Sequence, residues 1–382
     1  MTRIMHVING LATGGAETML LKLLSATSQD FDPIVVSLTN EGAIGPCISQ
    51  LGIPVYSLGL DRTIPKPTRV LSLVSLTRRL RPHLVQGWMP HGNLMASLAG
   101  ACSQIRPSVL WSIHQSVYSL SSESWRTRAA IRFGALRSRK ADAIIYVSHT
   151  SRKQHEALGY HSSNGLVIPN GTDCVAFRPD DMARQQVRAE LEVENDTVLV
   201  GLVARYHPMK DHAGFLHAAA AVSRAHPSVR FALIGSGTRE QPALLALIRE
   251  LQLQGRILLL GERRDMPRVT AALDIACSAS WTEAFSSTLG EAMACGIPCV
   301  VTDIGDSAYL VADTGISVPP RNPEALAQAL CHLVESGTEY RRQLGMAARR
   351  RVEQEFSLPV ISRRYTLLYQ EHVASRSQSQ FE

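Results

Sequence analysis

The chain lacks the features that would place it in several specialised classes of protein. No stretch of its 382 residues approaches the ~20 consecutive apolar residues of a membrane-spanning helix. Its seven cysteines are scattered and none forms a Cys-x2-Cys pair, so neither a disulfide framework nor a zinc site is predicted. The first residues, Met1–Asn9, lack the apolar segment and cleavage site of a secretory signal peptide. We therefore expect a protein of the reducing cytoplasm.

Aromatic residues and charge of one sign are also scarce. Aromatics make up 5% of the chain, and the net charge of +6 is a small excess at this length. That charge permits an acidic partner such as phosphate or anionic lipid, and we expect no nucleic acid to bind. Apolar residues reach 45% against 19% charged, which is typical of a globular protein. The length favours two domains of roughly 150–200 residues each.

Strand-like apolar runs alternate with helix-like stretches along most of the chain, and a turn-rich connector at 169–179 separates two such series. This alternation predicts an α/β fold with parallel strands covered by helices on both faces. We predict two doubly wound, Rossmann-like domains facing a cleft, at 1–175 and 176–355, followed by a segment at 356–382. The predicted strands are Ile4–Ile8, Ile34–Leu38, Val55–Leu58, Leu84–Gln86, Val109–Ile113, Ala143–Val147, Leu166–Ile168, Val198–Val203, Arg230–Ile234, Ile257–Leu260, Ile275–Ser278, Cys299–Thr302 and Ile316–Val318.

The last part of the chain is predicted to be helical at 323–336, 340–355 and 358–373. Residues 374–382 are polar, and we expect them to be disordered.

A run at 281–298 combines two carboxylates with a predicted helix start. Glu283 and Glu291 stand eight positions apart, on either side of a Ser-Ser-Thr stretch that can open a helix ending at Gly296. The N-terminus of a helix offers unpaired N–H groups and a positive dipole end, which suits phosphate. Carboxylates on either side of that phosphate could hold hydroxyls. A nucleotide-sugar has this layout of sugar, diphosphate and ribose.

Two glutamates on a helix face are usually solvated, so their spacing alone is a weak signal. The surrounding run, however, resembles the retaining glycosyltransferases of family 4, and other segments carry the resemblance over most of the chain. It implies a GT-B fold whose last helix crosses back to the first domain, with Glu283 on the donor sugar and Glu291 on the ribose. The helix start at Ser287, Thr288 and Leu289 is then expected to bind the donor diphosphate.

A glycine loop follows the first predicted strand. Paired Gly14 and Gly15 let the backbone approach a phosphate closely, and the following helix supplies N–H donors. The loop does not match Gly-x-Gly-x-x-Gly, and taken alone it could be an ordinary strand-to-helix turn. Its Gly-Gly-Ala-Glu string looks like the glycine loop that covers the donor diphosphate in family 4 enzymes.

Two cations follow the first strand of the second domain. Arg205 and Lys210 come after the predicted strand end, where ligands bind in open α/β sheets. Two fixed positive charges there suit a diphosphate leaving group, although loop cations in general are more often solvated. The string resembles the strand–Arg–Lys motif of the family, with Ala204 in place of the commoner glycine.

One histidine of the first domain also stands at a strand end. His114 follows the predicted strand at 109–113 and resembles the N-domain histidine of the family, which implies contact with the donor sugar or acceptor. A lone histidine is otherwise more often structural. His91 is a weaker acceptor-side assignment.

The pair Asp30-x-Asp32 matches the metal-binding pattern of a different glycosyltransferase class. Because it precedes a strand, it lies at the wrong end of the sheet for the expected site. We therefore predict no metal and no cofactor, since Arg205 and Lys210 supply the positive charge.

These observations together favour a retaining glycosyltransferase that moves a sugar from a nucleoside diphosphate donor, with UDP preferred, to a glycan or polyprenyl-linked acceptor in surface or exopolysaccharide synthesis. Its expected catalytic residues are Glu283, His114, Arg205 and Lys210. Two alternatives stay open at this point. One is a nucleotide-sugar epimerase or a phosphorylase on the same architecture, and the other is a non-catalytic partner that binds an anionic surface.

A basic stretch at 125–140 raises the question of a membrane. It carries six basic residues and no acid. At about 100° per residue, Trp125, Ala129, Phe133 and Leu136 share a narrow face flanked by arginines. Such a face is typical of helices that lie on anionic lipid, so a peripheral location on the inner face of the membrane is one expectation. The alternative is that the aromatics pack into the core.

Overall fold

The computed structural model describes residues 1–60 and 67–378. Within them the chain divides into two compact units, one formed by Met1–Gly171 with Leu358–Glu382 and the other by Thr172–Ser357. The predicted domain boundaries, after 175 and after 355, lie within a few residues of these divisions. The last helix belongs to the first unit, as expected of a helix that crosses back.

The first unit is a seven-stranded parallel sheet with helices on both faces. Its strand order is β3-β2-β1-β4-β5-β6-β7. Its elements are β1 (Thr2–Ile8), α1 (Gly15–Thr27), β2 (Phe31–Ser37), α2 (Ile44–Gln50), β3 (Val55–Ser57), α3 (Pro67–Leu80), β4 (Leu84–Trp88), α4 (Met89–Ala101), β5 (Ser108–Ile113), α5 (Trp125–Arg137), β6 (Ala143–Tyr146), α6 (His149–Ala157) and β7 (Gly165–Val167), with the C-terminal helix α15 (Leu358–Gln378).

Two apolar cores hold this sheet, one on each face. Leucines of α1 and tyrosines of α15, including Tyr365 and Tyr369, pack on one face. Residues of α3, α4 and α5, among them Leu73 and Ile131, pack on the other. Strand β1 is consequently buried from Ile4 onward, which explains why its sequence is nearly continuous in apolar residues.

The second unit has the same architecture with six parallel strands in the order β10-β9-β8-β11-β12-β13. Its core lies where α8 and α13 cover the sheet. Its elements are α7 (Asp181–Glu190), β8 (Leu199–Val203), α8 (His212–Ala225), β9 (Arg230–Ile234), α9 (Pro242–Glu250), β10 (Ile257–Gly261), α10 (Met266–Ala271), β11 (Ile275–Ser278), α11 (Ser287–Ala294), β12 (Cys299–Thr302), α12 (Ser307–Val311), β13 (Gly315–Val318), α13 (Pro323–Glu335) and α14 (Gly337–Arg351).

The strand order reverses at the first strand of each sheet. Strand β1 lies between β2 and β4, and β8 lies between β9 and β11. At such a switch point the loops after the two central strands turn to opposite faces, leaving a crevice at their carboxyl ends where ligands bind. The loops after β1 and β4, and those after β8 and β11, are therefore the places to look for function.

The thirteen predicted strands and the helix predicted at 323–336 are confirmed, whereas the two helices after it differ from expectation. The helix predicted at 340–355 begins earlier and ends at Arg351, where a π-helical turn, Val352–Phe356, follows. The end predicted to be disordered from residue 374 continues as helix to Gln378. The rest of that prediction, 379–382, lies outside the described residues. No helix in the described part of the chain is long and apolar enough to span a membrane.

Candidate active site

The loop after β11 holds Glu283 in place through contacts on two sides. The backbone N–H of Trp281 donates to the Met209 carbonyl (3.0 Å), and its indole Nε1 donates to the Pro208 carbonyl (2.7 Å). On the other side, Gly305 has φ +60°, and a Cβ there would lie 2.5 Å from the Glu283 carbonyl oxygen. A side chain at 305 would therefore displace the loop, which explains the glycine.

The carboxylate of Glu283 forms an ion pair with the ammonium group of Lys210, and both side chains are largely shielded from solvent. Lys210 ends a short 3-10 turn, Pro208–Lys210, in the loop after β8. The next residue, Asp211, is left-handed (φ +47°) and caps α8, since its Oδ1 accepts from the Gly214 N–H at 3.0 Å. The switch point thus brings together Lys210 from the loop after β8 and Glu283 from the loop after β11. Their positions in the sequence do not reveal this contact.

Arg205 lies at the same end of the sheet, two residues after β8, and its side chain is exposed. Close backbone packing fixes the chain beside it. Gly235, after β9, has φ +147°, and a Cβ there would lie 2.2 Å from the Ala204 carbonyl oxygen. The Tyr206 N–H also donates to the Ser236 carbonyl at 2.8 Å. Arg205 is therefore an exposed side chain on a closely packed backbone.

Helix α11 begins directly beside the Lys210–Glu283 pair. Its N-cap, Ser286, is extended and makes no side-chain cap hydrogen bond, although its Oγ lies 3.3 Å from Thr288 Oγ1. Lys210, Ser286 and Thr288 line one small depression together with residues at the ends of β8 and β11. A helix start, hydroxyls and a lysine at one place form a suitable site for an anion.

Of the other residues of α11, some are buried in the core and others are partly exposed beside the candidate site. Leu289 is buried, so only its backbone can face a ligand. Glu291 is half-buried in the second turn. The helix ends as predicted at Gly296 (φ +73°), where the Ile297 N–H donates back to the Ala292 carbonyl at 3.0 Å.

In the first unit, the glycine loop runs directly into α1. Gly14 is the extended N-cap and Gly15 is the first helical residue. Gly15 is exposed, and a Cβ built there meets no atom within 4 Å. A side chain at 15 would therefore leave the fold undisturbed while occupying the space in front of the helix start.

His114 follows β5 and stacks on Trp88, at the end of β4, with ring centroids 4.9 Å apart. The Trp88 indole in turn donates to His6 Nδ1 at 3.2 Å. Burial lowers the pKa of His6 to about 3 and that of His114 to about 4, the latter shift being partly opposed by the Asn170 side chain. Both imidazoles are therefore uncharged at neutral pH.

His91 lies in the first turn of α4, after Met89, whose φ is +67°. Burial lowers the pKa of His91, and the nearby positive charge of Arg126 lowers it further. The strands that lead to His91 and His114 are neighbours, and the glycine loop follows the strand next to them. All the first-unit residues assigned from sequence thus lie at the carboxyl ends of adjacent strands.

The Asp30-x-Asp32 pair is accounted for by a structural contact. Asp32 forms an ion pair with Arg3 at 2.7 Å, between the starts of β1 and β2. This is the amino end of the sheet, opposite the functional loops.

Three residues that position the site were not identified from sequence. Trp281 and Gly305 hold the Glu283 loop, and Trp88 supports His114. Trp281 lies inside the conspicuous run and could have been noticed there. The role of Gly305 depends on a contact between the loops after the neighbouring strands β11 and β12, and it leaves no local signal in the sequence.

Comparison with known proteins gives the same picture over most of the chain. A model of "Glycosyltransferase Family 4" matches residues 13–175, and a model of "Glycosyl transferases group 1" matches residues 197–336. The N-acetyl-alpha-D-glucosaminyl L-malate synthase of Bacillus anthracis is 24% identical over 74% of this chain and 72% of its own length. A GDP-mannose-dependent phosphatidylinositol monomannoside mannosyltransferase of Corynebacterium glutamicum is 24% identical over 94% of both chains.

Solved structures agree on the fold. Anabaena HepE in complex with UDP superposes with a TM-score of 0.86 at 23% identity, covering 97% of this chain and 100% of that one. A sucrose-phosphate synthase from Thermosynechococcus elongatus gives a TM-score of 0.78 at 20% identity, covering 98% and 100%. The chain belongs to family 4 of the glycosyltransferases and has the GT-B fold of two Rossmann-like domains.

Proposed function

We propose that this glycosyltransferase moves a sugar from a UDP-sugar to a glycan or polyprenyl-linked acceptor, with retention of configuration and without a metal. The observation that carries the proposal is the Lys210–Glu283 pair beside the start of α11. The occurrence of UDP and UDP-glucose in the Anabaena HepE complexes supports the choice of donor. Surface or exopolysaccharide synthesis is the process in which we place the reaction.

The donor roles follow from the chemistry of each group. Lys210, Arg205 and the first-turn N–H groups of α11 carry or attract the charge that suits a diphosphate. Glu283 accepts hydrogen bonds from sugar hydroxyls, and in the donor-free chain Lys210 neutralises it. Glu291, one turn into the helix, accepts from the ribose hydroxyls. This order along α11 matches the order of sugar, diphosphate and ribose.

In the proposed step, the acceptor oxygen forms a bond to the anomeric carbon as the bond from that carbon to the UDP phosphate oxygen breaks on the same face. The acceptor proton passes to the departing phosphate. The charge that develops on the leaving group falls beside Lys210 and Arg205, whose positive charges stabilise it. These cations are our reason for proposing transfer without a metal.

The first unit would contribute neutral groups. The Gly14–Gly15 backbone offers N–H donors to the diphosphate, and the uncharged His114 offers an imidazole to a sugar hydroxyl. We assign His91 to the acceptor. We also place the enzyme in the cytoplasm, at the inner face of the membrane, where a polyprenyl-linked acceptor resides.

Incubation with UDP-sugars in the presence and absence of acceptor tests the proposal. We expect sugar to enter polyprenyl-linked acceptors with the anomeric configuration of the donor, as read by NMR, and we expect chelation by EDTA to have no effect. Conversion of the UDP-sugar without acceptor would indicate an epimerase, and dependence on inorganic phosphate a phosphorylase. Failure to bind any nucleotide-sugar would indicate a non-catalytic partner.

A further inference from the structure

Helix α5 presents an unusual apolar face to solvent. Trp125 is 67% exposed, Phe133 54% and Leu136 79%, and the small Ala129 lies between them on the same side. Single exposed apolar side chains are common on protein surfaces, but three large ones on one face of one helix are not. The alternative that these aromatics pack into the core is therefore wrong.

The opposite side of α5 is seated so firmly that the helix cannot turn this face inward. Ile131 is fully buried in the apolar core on this face of the sheet, where α5 packs against α4, and Gly134 is also buried. A Cβ at Gly134 would lie 2.4 Å from the Tyr160 hydroxyl, so the helix backbone approaches that ring closely. At the start of α5, the Ser124 Oγ caps the helix by accepting a hydrogen bond from the Thr127 N–H at 3.2 Å. The packing of the opposite side of α5 therefore keeps the apolar face exposed.

The charges on α5 and in the turn that follows it are of one sign. Residues 125–140 contain six basic side chains and no acidic one. Arg126 lies over the Trp125 ring at 5.2 Å, whereas Arg132 is exposed and Arg128 half-exposed.

Another basic helix of the protein, α14, is built differently. In α14 and the turn after it, arginines form ion pairs one helical turn apart, Arg342 with Glu339 and Arg351 with Glu355. Pairing of this kind neutralises these two arginines within their own segment. The sequence of α5 provides no acid for such pairs along the helix, and Arg132 is exposed and Arg128 half-exposed to solvent, where an external anion can reach them.

We propose that the α5 face, formed by Trp125, Phe133 and Leu136 with Arg128 and Arg132 beside them, docks on an anionic lipid bilayer. The aromatic and leucine side chains enter the boundary between headgroups and acyl chains, and the arginines bind lipid phosphates. Helix α4, which carries the acceptor-side residue His91, packs against α5, so docking would bring a membrane-borne acceptor to that side of the first unit. Only this last link rests on the proposed function.

Co-sedimentation with vesicles tests the docking directly and needs no sugar donor. Wild-type protein should pellet with phosphatidylglycerol-containing vesicles at ~0.1 M salt, less at high salt, and only weakly with phosphatidylcholine alone. Each cation near an anionic surface gives about a fivefold gain in partitioning, so R128E/R132E should bind at least ~25-fold more weakly. F133S/L136S should lose binding at every salt concentration.

A matched variant in the second unit provides the control. R224E/R249E makes the same change in net charge at two exposed arginines, and it should bind vesicles nearly as wild type does. Thermal melting checks that each variant is folded. If R128E/R132E is unfolded, the neutral R128Q/R132Q replaces it with an expected loss of about 25-fold. Tryptophan fluorescence gives a second readout, since a vesicle-induced blue shift should disappear in Trp125→Tyr.

Failure of wild type to pellet with anionic vesicles would overturn the proposal. Equal pelleting of wild type and both α5 variants would do the same, and so would an equal loss in R224E/R249E, which would indicate general charge attraction. Each of these results leaves the donor site untouched, because UDP binding to the second unit is measured separately.

Discussion

The two units share a topology but use opposite chemistry at the switch point. In the first unit, the loop after β1 carries glycines, and the histidines nearby are buried and uncharged. In the second, the loop after β8 carries Arg205 and Lys210, and Lys210 pairs with Glu283 from the loop after β11. The position of a site therefore follows from the fold, whereas its ligand is decided by the side chains placed there.

This difference indicates which part of a donor each unit would bind. Charged groups retained in a partly shielded site cost desolvation unless a partner of opposite charge is present. Lys210 and Glu283 satisfy each other in the absence of ligand, and both could exchange that partner for phosphate and sugar hydroxyls. A neutral imidazole such as His114 suits a hydroxyl group and would gain little from a phosphate.

The largest effect is expected for Glu283→Gln. Loss of the carboxylate removes hydrogen bonds to the sugar in the transition state, and we expect turnover to fall by ~10²–10³-fold with UDP binding nearly intact. Turnover is measured with a UDP-sugar and acceptor, and UDP affinity by calorimetry. Glu250→Gln, at an exposed glutamate at the end of α9, serves as the control and should be silent. Unchanged turnover in folded Glu283→Gln would remove this residue from the mechanism.

A smaller effect is expected for Arg205→Ala and Lys210→Ala. If they stabilise the charge that grows on the departing diphosphate, each should lower turnover by about 10- to 100-fold and weaken donor binding less. Steady-state kinetics separate the two quantities. An effect confined to the Michaelis constant would mean that they hold the ground state only, and wild-type kinetics in both would place the diphosphate elsewhere.

Glu291→Ala should act chiefly on the nucleotide. Removal of a charged acceptor from the ribose typically costs about 1.5–3 kcal/mol, which corresponds to about a 10- to 100-fold rise in the dissociation constant for UDP. Calorimetry with UDP provides the measurement. If UDP affinity is retained but turnover collapses, Glu291 contacts the reacting sugar and the order along α11 is reversed.

Gly15→Val tests the participation of the first unit. Because space is open at Gly15, the substitution should leave the melting temperature unchanged, while the branched side chain obstructs the donor and raises its Michaelis constant by about tenfold. Thr13→Val, in the same exposed loop, is the control. Equal donor kinetics in wild type and Gly15→Val would show that this loop does not cover the diphosphate.

The smallest effect concerns pH. Burial places the pKa of His114 at about 4, so this imidazole gains its proton only well below neutrality. Between about pH 6 and about pH 8 its charge does not change, and turnover should show no inflection due to His114. An inflection near the pKa of ~6.5 of a free histidine, absent in His114→Asn, would show that the imidazole is solvated and titrates during the reaction.

Sequence reasoning was sufficient for the strands and for placing the proposed site residues at the carboxyl ends of strands. Apolar runs bounded by turn residues identified the strands, because a parallel sheet covered on both faces requires nearly continuous apolar strands. The start of α11 and its end at Gly296 followed from local capping signals. The Lys210–Glu283 pair did not follow, because it joins residues 73 positions apart through the order of strands.

Other features of the site also depend on contacts between residues that are distant in the sequence. The role of Gly305 depends on the nearby carbonyl of Glu283, and the low pKa of His114 depends on how Trp88 and its surroundings bury the ring. Conversely, the amphipathic pattern of α5 could be predicted from the sequence. Only the packing of Gly134 and Ile131 decided that its aromatic side faces solvent.

The central claim is that the second unit binds a nucleoside diphosphate at its switch point. Thermal unfolding with and without UDP tests this claim most directly. At 100 times its dissociation constant, UDP should stabilise the wild-type protein by about 2.7 kcal/mol. At the same concentration it should leave the doubly substituted Lys210→Ala/Glu291→Ala protein almost unchanged. Equal stabilisation of both proteins, or of neither, would contradict the account.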